Sequence, residues 1–368
     1  MRIRETALDS ISTIVKRHAK HTFRLSSTFL INMNLVHLSL NTNYLKQSHL
    51  YSFMEYVILI IALLGIVVGA DQLVSGAVSI AKKFKVSDFV IGAAIVGVGT
   101  SMPELTVSFI GALQGNSDIA IGNVVGSNIF NVLGILGLTA LFFPVAVNKG
   151  EKRFELPLCI GISVLLTLLV MLGGKMEIGR VDGIILLCGF IFFIWYSFWR
   201  DRKNAIEQPI AEDSPVKSGP IWLAAIRVLG GLAVLIYSCD VFVDGAISIA
   251  REWGVDDSFI SLTLVACGTS LPELAASLAA AVKKNTSLAL GNIIGSNIFN
   301  ITLILGLSSL VTPLNSAGIT PMDYAVMTMA AILPLLLGLR GKIGRLGGAF
   351  MFILFIAYTA YLLNIQTA

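Results

Sequence analysis

Two glutamates lie in stretches of the chain that are too apolar for a surface in water. Glu104 belongs to GTSMPELTVS, which follows VIGAAIVGV, and Glu273 belongs to the similar segment GTSLPELAAS. A carboxylate in the middle of a membrane helix costs at least about 2.5–3.5 kcal/mol, and such residues usually have a function. The types of the neighbouring residues indicate what the two carboxylates bind.

Each glutamate directly follows a proline. Pro103 and Pro272 lack a backbone N–H and interrupt helical hydrogen bonding. The helices should therefore break here, and the carbonyl groups of Thr100 and Thr269 should lack helical partners. Free carbonyl groups at membrane depth are tolerated only inside protein or beside a cavity. Carbonyl, hydroxyl and carboxylate oxygens together are the ligands that hard cations such as Ca²⁺ prefer.

A second motif supplies hydroxyl and amide oxygens. GNVVGSNIFN and GNIIGSNIFN each place an asparagine, a serine and a second asparagine at four-residue spacing, on one face of a helix. No histidine or thiol accompanies these groups, which disfavours a transition-metal site. Glycine-rich motifs and buried asparagines often serve helix packing instead, but their repetition beside two glutamates favours a cation site. The motif residues are Asn123, Ser127 and Asn131 in the first copy and Asn292, Ser296 and Asn300 in the second, with Ser101 and Ser270 beside the breaks.

The elements that carry these residues are membrane helices. The chain has 368 residues, of which 55% are hydrophobic and 13% are charged, and its mean hydropathy is +0.84. Soluble domains carry about 25% charged residues. The apolar runs are too long for barrel strands, so the sequence predicts an all-α polytopic membrane protein. The ten predicted transmembrane helices lie near 55–81, 88–113, 119–142, 155–173, 181–199, 220–250, 257–282, 287–311, 322–339 and 343–363.

The basic residues predict an orientation in the membrane. Of the nineteen Lys and Arg residues after residue 53, sixteen fall on one side of the ten predicted helices and three on the other. Basic residues favour the cytoplasmic side. We therefore expect a multi-pass protein of the cell membrane, with both ends of the helical bundle outward and the linker 200–219 in the cytoplasm.

The chain contains an internal repeat. Residues 99–138 align without a gap on 268–307, an offset of 169 residues, and 22 of the 40 positions are identical. Five predicted helices separate the copies, so the second copy enters the membrane upside down. The sequence thus predicts two inverted five-helix halves, 55–199 and 220–365, with broken helices at the midplane. Inverted halves of this kind are typical of secondary transporters, whose binding sites lie where the halves meet.

The paired motifs GTSxPEL and GNxxGSNIFN, present twice and inverted, resemble the repeats of the sodium/calcium exchanger family of calcium:cation antiporters. The resemblance covers about residues 55–365. It implies a compact core around the broken helices and a peripheral two-helix unit made by the first and sixth helices. The sequence departs from animal exchangers in one respect, because the linker 200–219 is too short to hold their large cytoplasmic calcium-sensing domain.

The resemblance further implies a set of ion ligands. The glutamates would be central, with two threonine carbonyl groups at Ca²⁺, four serines at flanking Na⁺ sites, backbone oxygens nearby and two asparagines facing the centre. Some relatives, including those that co-transport K⁺, carry aspartate at the position of Asn300, so asparagine argues against K⁺ coupling. The implied residues are Glu104, Glu273, Thr100, Thr269, Ser101, Ser270, Ser127, Ser296, Gly97, Ala266, Asn131 and Asn300.

The expected function is antiport, in which Na⁺ entry expels Ca²⁺ through one set of ligands exposed alternately to each side. A Ca²⁺/H⁺ or other cation/H⁺ antiporter is the alternative, because two neighbouring buried carboxylates could also exchange a proton. An intramembrane hydrolase would need one carboxyl group with a raised pKa, one with a normal pKa and a water site, whereas the sequence surrounds both glutamates almost alike and offers no third catalytic group. A passive channel fits inverted halves poorly. We expect no enzyme activity, no cofactor and no nucleic-acid partner; Ca²⁺ and Na⁺ are substrates and the lipid bilayer is the surrounding medium.

The sequence allows more than one role for three further aspartates and for the N-terminal segment. Asp71, Asp240 and Asp244 could line an ion path or serve packing near the interfaces. Residues 1–53 carry seven Lys and Arg against two Asp and Glu and match nothing in the second half. Carrying these charges outward opposes the positive-inside tendency. We expect residues 1–53 to be disordered or poorly packed, and to be a misread start or a dispensable tail ahead of Met54.

Overall fold

The computed structural model describes the backbone of residues 27–172, 176–207, 220–254, 266–316 and 318–367, and most of their side chains from residue 55 onward. The described part is almost entirely helical. Its helices are α1 (Ser27–Phe84), α2 (Asp88–Thr100), α3 (Met102–Leu113), α4 (Ser117–Phe142), α5 (Lys149–Arg153), α6 (Glu155–Leu172), α7 (Arg180–Glu207), α8 (Ile221–Glu252), α9 (Ala266–Gly268), α10 (Leu271–Val282), α11 (Thr286–Val311), α12 (Pro321–Leu337) and α13 (Arg345–Thr367).

The helices correspond to the predicted spans, except that α1 begins before residue 55 and α7 continues to Glu207, into the predicted linker 200–219. Within the described ranges, seven helices are long and apolar enough to cross a bilayer, and the bent pair of α2 and α3 makes an eighth. The shorter apolar helices α10 and α12 lie in the seventh and ninth predicted spans. The first part of the seventh span, residues 257–265, falls outside the described residues. Residues 1–26 fall outside the described residues, and the backbone of residues 27–53 belongs to α1. That residues 1–53 are poorly packed or dispensable stays a prediction.

Four short strands relate the two halves. They are β1 (Val145–Ala146), β2 (Glu177–Ile178), β3 (Leu314–Asn315) and β4 (Lys342–Ile343), and they form two antiparallel pairs, β1 with β4 and β2 with β3. β1 and β3 are equivalent at the 169-residue offset, yet each pairs with a strand of the other half. An even number of spans separates the partners in each pair. Paired strands therefore share a membrane face, whereas the five spans between the equivalent strands β1 and β3 place them on opposite faces, as an inverted repeat requires.

The core lies around α4 and α11. In their most apolar windows 78% and 83% of the residues are buried, against 28% in both α1 and α8. Glycines let α11 contact α2 directly, because a Cβ atom at Gly291 would lie 2.2 Å from the Phe89 carbonyl oxygen. A Cβ at Gly295 would lie 2.4 Å from the Cα of Ala93. Small residues allow this backbone approach within a membrane, and it brings the broken helices to the centre of the core.

Candidate cation-binding site

Both predicted helix breaks are present. α2 and α3 meet at an angle of 49°. The residue at each break has ψ near zero, with φ −83° and ψ 11° at Ser101 and φ −92° and ψ 8° at Ser270. Pro103 and Pro272 are in the first turn of the following helix, where an N–H is not needed for a helical bond. Each break thus starts a new helix whose first turn carries a glutamate, and a helix N-terminus favours negative charge.

Each glutamate is held by a serine of the other half. The Ser101 hydroxyl donates a hydrogen bond to Oε1 of Glu273 at 2.7 Å, and the Ser270 hydroxyl donates to Oε1 of Glu104 at 2.8 Å. All four residues are fully buried. The structure therefore brings the two repeat motifs to one place, as the inverted repeat predicted.

Further hydroxyl groups surround the pair. The hydroxyl oxygens of Ser127 and Ser270 are 3.1 Å apart. Ser296 lies 3.5 Å from Oε1 of Glu273, and its hydroxyl donates to the carbonyl oxygen of Gly97 at 3.2 Å. The backbone of Ala266, the equivalent of Gly97, lies in α9. The predicted serines therefore lie beside the glutamates, and the Gly97 carbonyl is part of the same cluster.

The threonine hydroxyls lie on the flanks of the site. Thr100 Oγ1 is 3.3 Å from Oδ1 of Asn292, and Thr269 Oγ1 is 3.4 Å from Oδ1 of Asn123. The same asparagines donate to the backbone carbonyl of the glutamate in their own half, both at 3.2 Å. Asn123 of α4 and Asn292 of α11 thus join these helices to α3 and α10, which carry the glutamates, and a cation-binding role for their side-chain oxygens stays a prediction.

Four asparagines form a second, buried cluster between α4 and α11. Asn131 donates to Oδ1 of Asn297 at 3.0 Å, and Asn300 donates to Oδ1 of Asn128 at 3.1 Å. Asn131 and Asn300 were predicted, whereas their partners were not. The identical GSN triplet in both motif copies was the available signal. Asn131 and Asn300 lie in the π-helical turns Phe130–Leu136 and Asn300–Ile304, which are frequent at functional sites.

Four buried oxygens of this region lack a hydrogen-bond partner among the described residues. They are Oε2 of Glu104, Oε2 of Glu273, Oδ1 of Asn131 and Oδ1 of Asn300. A buried acceptor without a hydrogen-bond partner destabilises the folded state. Here the repeat leaves two carboxylate and two amide oxygens without such a partner. Hard cations bind this set of oxygens, so the residues present fit Ca²⁺ or Na⁺ as a transported substrate.

The aspartates outside the centre differ from one another. Asp71 pairs with Lys283 at 2.7 Å, and the Lys283 ammonium also donates to the Ser75 hydroxyl at 2.6 Å. Asp71 is therefore neutralised and joins α1 to the end of α10. Asp240 and Asp244 are exposed on α8, and a role for them on an ion path stays a prediction.

We expect Asp71→Asn to leave cation exchange largely intact, because the Asp71 charge is already balanced by Lys283. The pair is partly exposed, with 31% of the lysine and 50% of the aspartate side chain accessible. Exposed pairs contribute about 0.2–1 kcal/mol, so thermal stability should fall only slightly. Flux assays and thermal unfolding in detergent would measure both effects. Loss of exchange in a stably folded Asp71→Asn protein would instead place Asp71 on the ion path.

Comparison with known proteins agrees with this geometry. Residues 54–199 and 223–364 match the family described as "Sodium/calcium exchanger protein". The chain is 35% identical over 288 residues to inner membrane protein YrbG of Escherichia coli (strain K12), covering 75% of this chain and 86% of that protein. It is 33% identical over 352 residues to sodium/calcium exchanger MaX1 of Methanosarcina acetivorans, covering 84% and 99%.

The fold is similar to the solved structure of the sodium-calcium exchanger NCX_Mj. The TM-score is 0.73 at 32% sequence identity, and the match covers 84% of this chain and 99% of that chain. The prediction of a ten-helix membrane protein with two inverted halves is thereby confirmed. The matched family consists of transporters, so the chain is an antiporter and not an enzyme. On these grounds the chain belongs to the sodium/calcium exchanger family.

Proposed function

We propose that the protein exchanges Na⁺ for Ca²⁺ by alternating access to the site around Glu104 and Glu273. The observation that carries this proposal is the reciprocal arrangement of the two glutamates. Each is fully buried, is held by a serine of the other half, and keeps one oxygen without a partner. Two carboxylates balance the charge of one Ca²⁺ ion, which makes a divalent cation an apt substrate.

The coupling would arise from competition for the same oxygens. Ca²⁺ and Na⁺ both require the glutamates, so they cannot occupy the site together. If three Na⁺ ions bind, as the resemblance implies, the loaded site carries one net positive charge. Its movement across the membrane would then respond to voltage, at about 2.3 kcal/mol per charge per 100 mV.

The ligands divide between the two ions in this proposal. The glutamates bind both ions and are joined at Ca²⁺ by the two threonine carbonyl groups. The serines, with nearby backbone oxygens, form the flanking Na⁺ sites, and two asparagine side chains face the centre. The proposed ligands are Glu104, Glu273, Thr100, Thr269, Ser101, Ser270, Ser127, Ser296, Gly97, Ala266, Asn131 and Asn300.

The proposed setting is the cell membrane, with the segment 200–219 on the cytoplasmic side and both ends of the helical bundle outside. The excess of basic residues in one set of loops supports this orientation. In this orientation Na⁺ moving inward down its gradient drives Ca²⁺ outward.

Ion flux in proteoliposomes tests the proposal. An outwardly directed Na⁺ gradient should drive ⁴⁵Ca²⁺ uptake, and uptake should persist when choline replaces K⁺ on both sides under a clamped voltage. Equal Na⁺ concentrations on both sides provide the control. Uptake that follows a pH gradient and ignores Na⁺ would favour the Ca²⁺/H⁺ alternative. An absolute need for K⁺ would contradict the interpretation of Asn300.

A further inference from the structure

Two asparagines outside the proposed ligand set bridge the inverted halves. Asn128 of α4 donates its side-chain amide to the backbone carbonyl of Asn297 at 3.1 Å. Asn297 of α11 donates in the same way to the backbone carbonyl of Asn128, also at 3.1 Å. Both residues are buried. The two contacts form a reciprocal clasp between the buried central helices.

The clasp fixes which way each amide faces. A backbone carbonyl oxygen can only accept a hydrogen bond, so the NH₂ group of each clasp residue must point at the opposite backbone. The side-chain oxygen of each residue then points away from that carbonyl. Oδ1 of Asn128 accepts from Asn300, and Oδ1 of Asn297 accepts from Asn131.

The orientation passes on to the next pair of amides. Because Asn128 and Asn297 present only oxygens, Asn131 and Asn300 must use their NH₂ groups to meet them. A flipped Asn131 or Asn300 would set two oxygen acceptors against each other. The side-chain oxygens of Asn131 and Asn300 are consequently left without a donor, and among the described residues no side chain or backbone group bonds to them.

We propose that Asn128 and Asn297 are positioning residues for cation binding, because they keep the amide oxygens of Asn131 and Asn300, and not the N–H groups, available to the transported ion. This inference rests on the proposed function. An N–H group facing the ion would repel it, whereas an amide oxygen coordinates it. The amide oxygens of Asn131 and Asn300 are neutral ligands, so the negative charge of the cation site comes from the two glutamates.

A double-mutant cycle on the full-length protein tests this role. The readout is the Ca²⁺ concentration that gives half of the maximal increase in the thermal unfolding temperature in detergent, since a bound ion stabilises the folded state. Asn297→Ala should weaken apparent Ca²⁺ affinity about 10–100-fold, the usual effect of losing a group that orients a metal ligand. Asn131→Ala should weaken it by a similar factor.

The cycle separates positioning from general packing. If Asn297 acts through Asn131, the double variant Asn131→Ala with Asn297→Ala should bind Ca²⁺ about as weakly as Asn131→Ala alone. The crossed control is the double variant Asn297→Ala with Asn300→Ala. Its fold-loss of apparent Ca²⁺ affinity should equal the product of the losses in the two single variants. The symmetry-related pair gives a mirror cycle. The effect of Asn128→Ala on Ca²⁺ affinity should disappear in an Asn300→Ala background and persist in an Asn131→Ala background.

The unfolding temperature without Ca²⁺ shows whether a variant folds. Asn297→Ser, which keeps a small polar group but cannot reach Asn131 in the same way, replaces Asn297→Ala in the cycle if the alanine variant does not fold. The positioning role would be overturned if the fold-losses of Ca²⁺ affinity multiply in both double variants. An unchanged affinity in Asn297→Ala would overturn it as well. Failure of the unmutated protein to bind Ca²⁺ would instead overturn the proposed function.

Discussion

Glu104→Gln and Glu273→Gln are each expected to abolish Na⁺-driven Ca²⁺ exchange. Glutamine keeps the size of the side chain and an acceptor for the partner serine, so the fold should survive. One remaining carboxylate cannot balance a divalent ion in a buried site. Removing one partner from a buried set of charges costs about 3–5 kcal/mol, which corresponds to at least about a 100-fold loss of affinity.

Proteoliposome flux of ⁴⁵Ca²⁺ against a Na⁺ gradient measures this loss, with protein content normalised. Glu177→Gln in β2 serves as the matched control, because Glu177 takes part in a strand pair through its backbone. It should exchange normally. Near-normal flux in either Glu104→Gln or Glu273→Gln would contradict a site built on two glutamates.

Gly291→Ala should strongly destabilise the packing of α2 against α11. The added methyl carbon would lie 2.2 Å from the Phe89 carbonyl oxygen and 2.9 Å from the carbonyl carbon of Phe89. Backbone atoms cannot rotate away as a side chain does, so α2 and α11 must separate. Overpacking of a core costs about 1–3 kcal/mol and occasionally more, and backbone contact places this change at the upper end.

Gly161→Ala is the matched control, because a Cβ there meets no atom within 4 Å among the described residues. Alanine should even favour the helix by about 1 kcal/mol. Size-exclusion profiles and thermal unfolding in detergent would compare the two proteins. Equal yield and equal unfolding temperature would show that α2 and α11 do not depend on contact at Gly291.

The sequence allowed the centre of the site to be predicted because its signals are local. A proline beside a glutamate in an apolar run marks a broken helix with a buried charge, whatever the rest of the fold does. The repeat then placed Glu104 and Glu273 together. Contacts that depend on the docking of the halves carried no such signal, and the bonds from Ser101 to Glu273 and from Ser270 to Glu104 are of this kind.

The clasp shows why helical periodicity alone was insufficient. Asn123, Ser127 and Asn131 share one helix face, and Asn128 lies off that face at the spacing of an α-helix. Its partner is 169 residues away in the sequence. Likewise Asp71 pairs with Lys283, which is 212 residues away in the sequence. In each case the partner belongs to the other half, which no pattern within one half can identify.

The reciprocal serine bonds have a consequence for how such a protein can arise. Within a single half, neither the glutamate nor the serine has its partner, because both partners belong to the other half. A single half therefore has an incomplete site by itself, but two identical half-length chains in opposite orientations would complete both bonds. Gene duplication and fusion would then preserve an arrangement that an antiparallel homodimer already had, and the one-sided excess of lysine and arginine favours a single orientation for the fused chain.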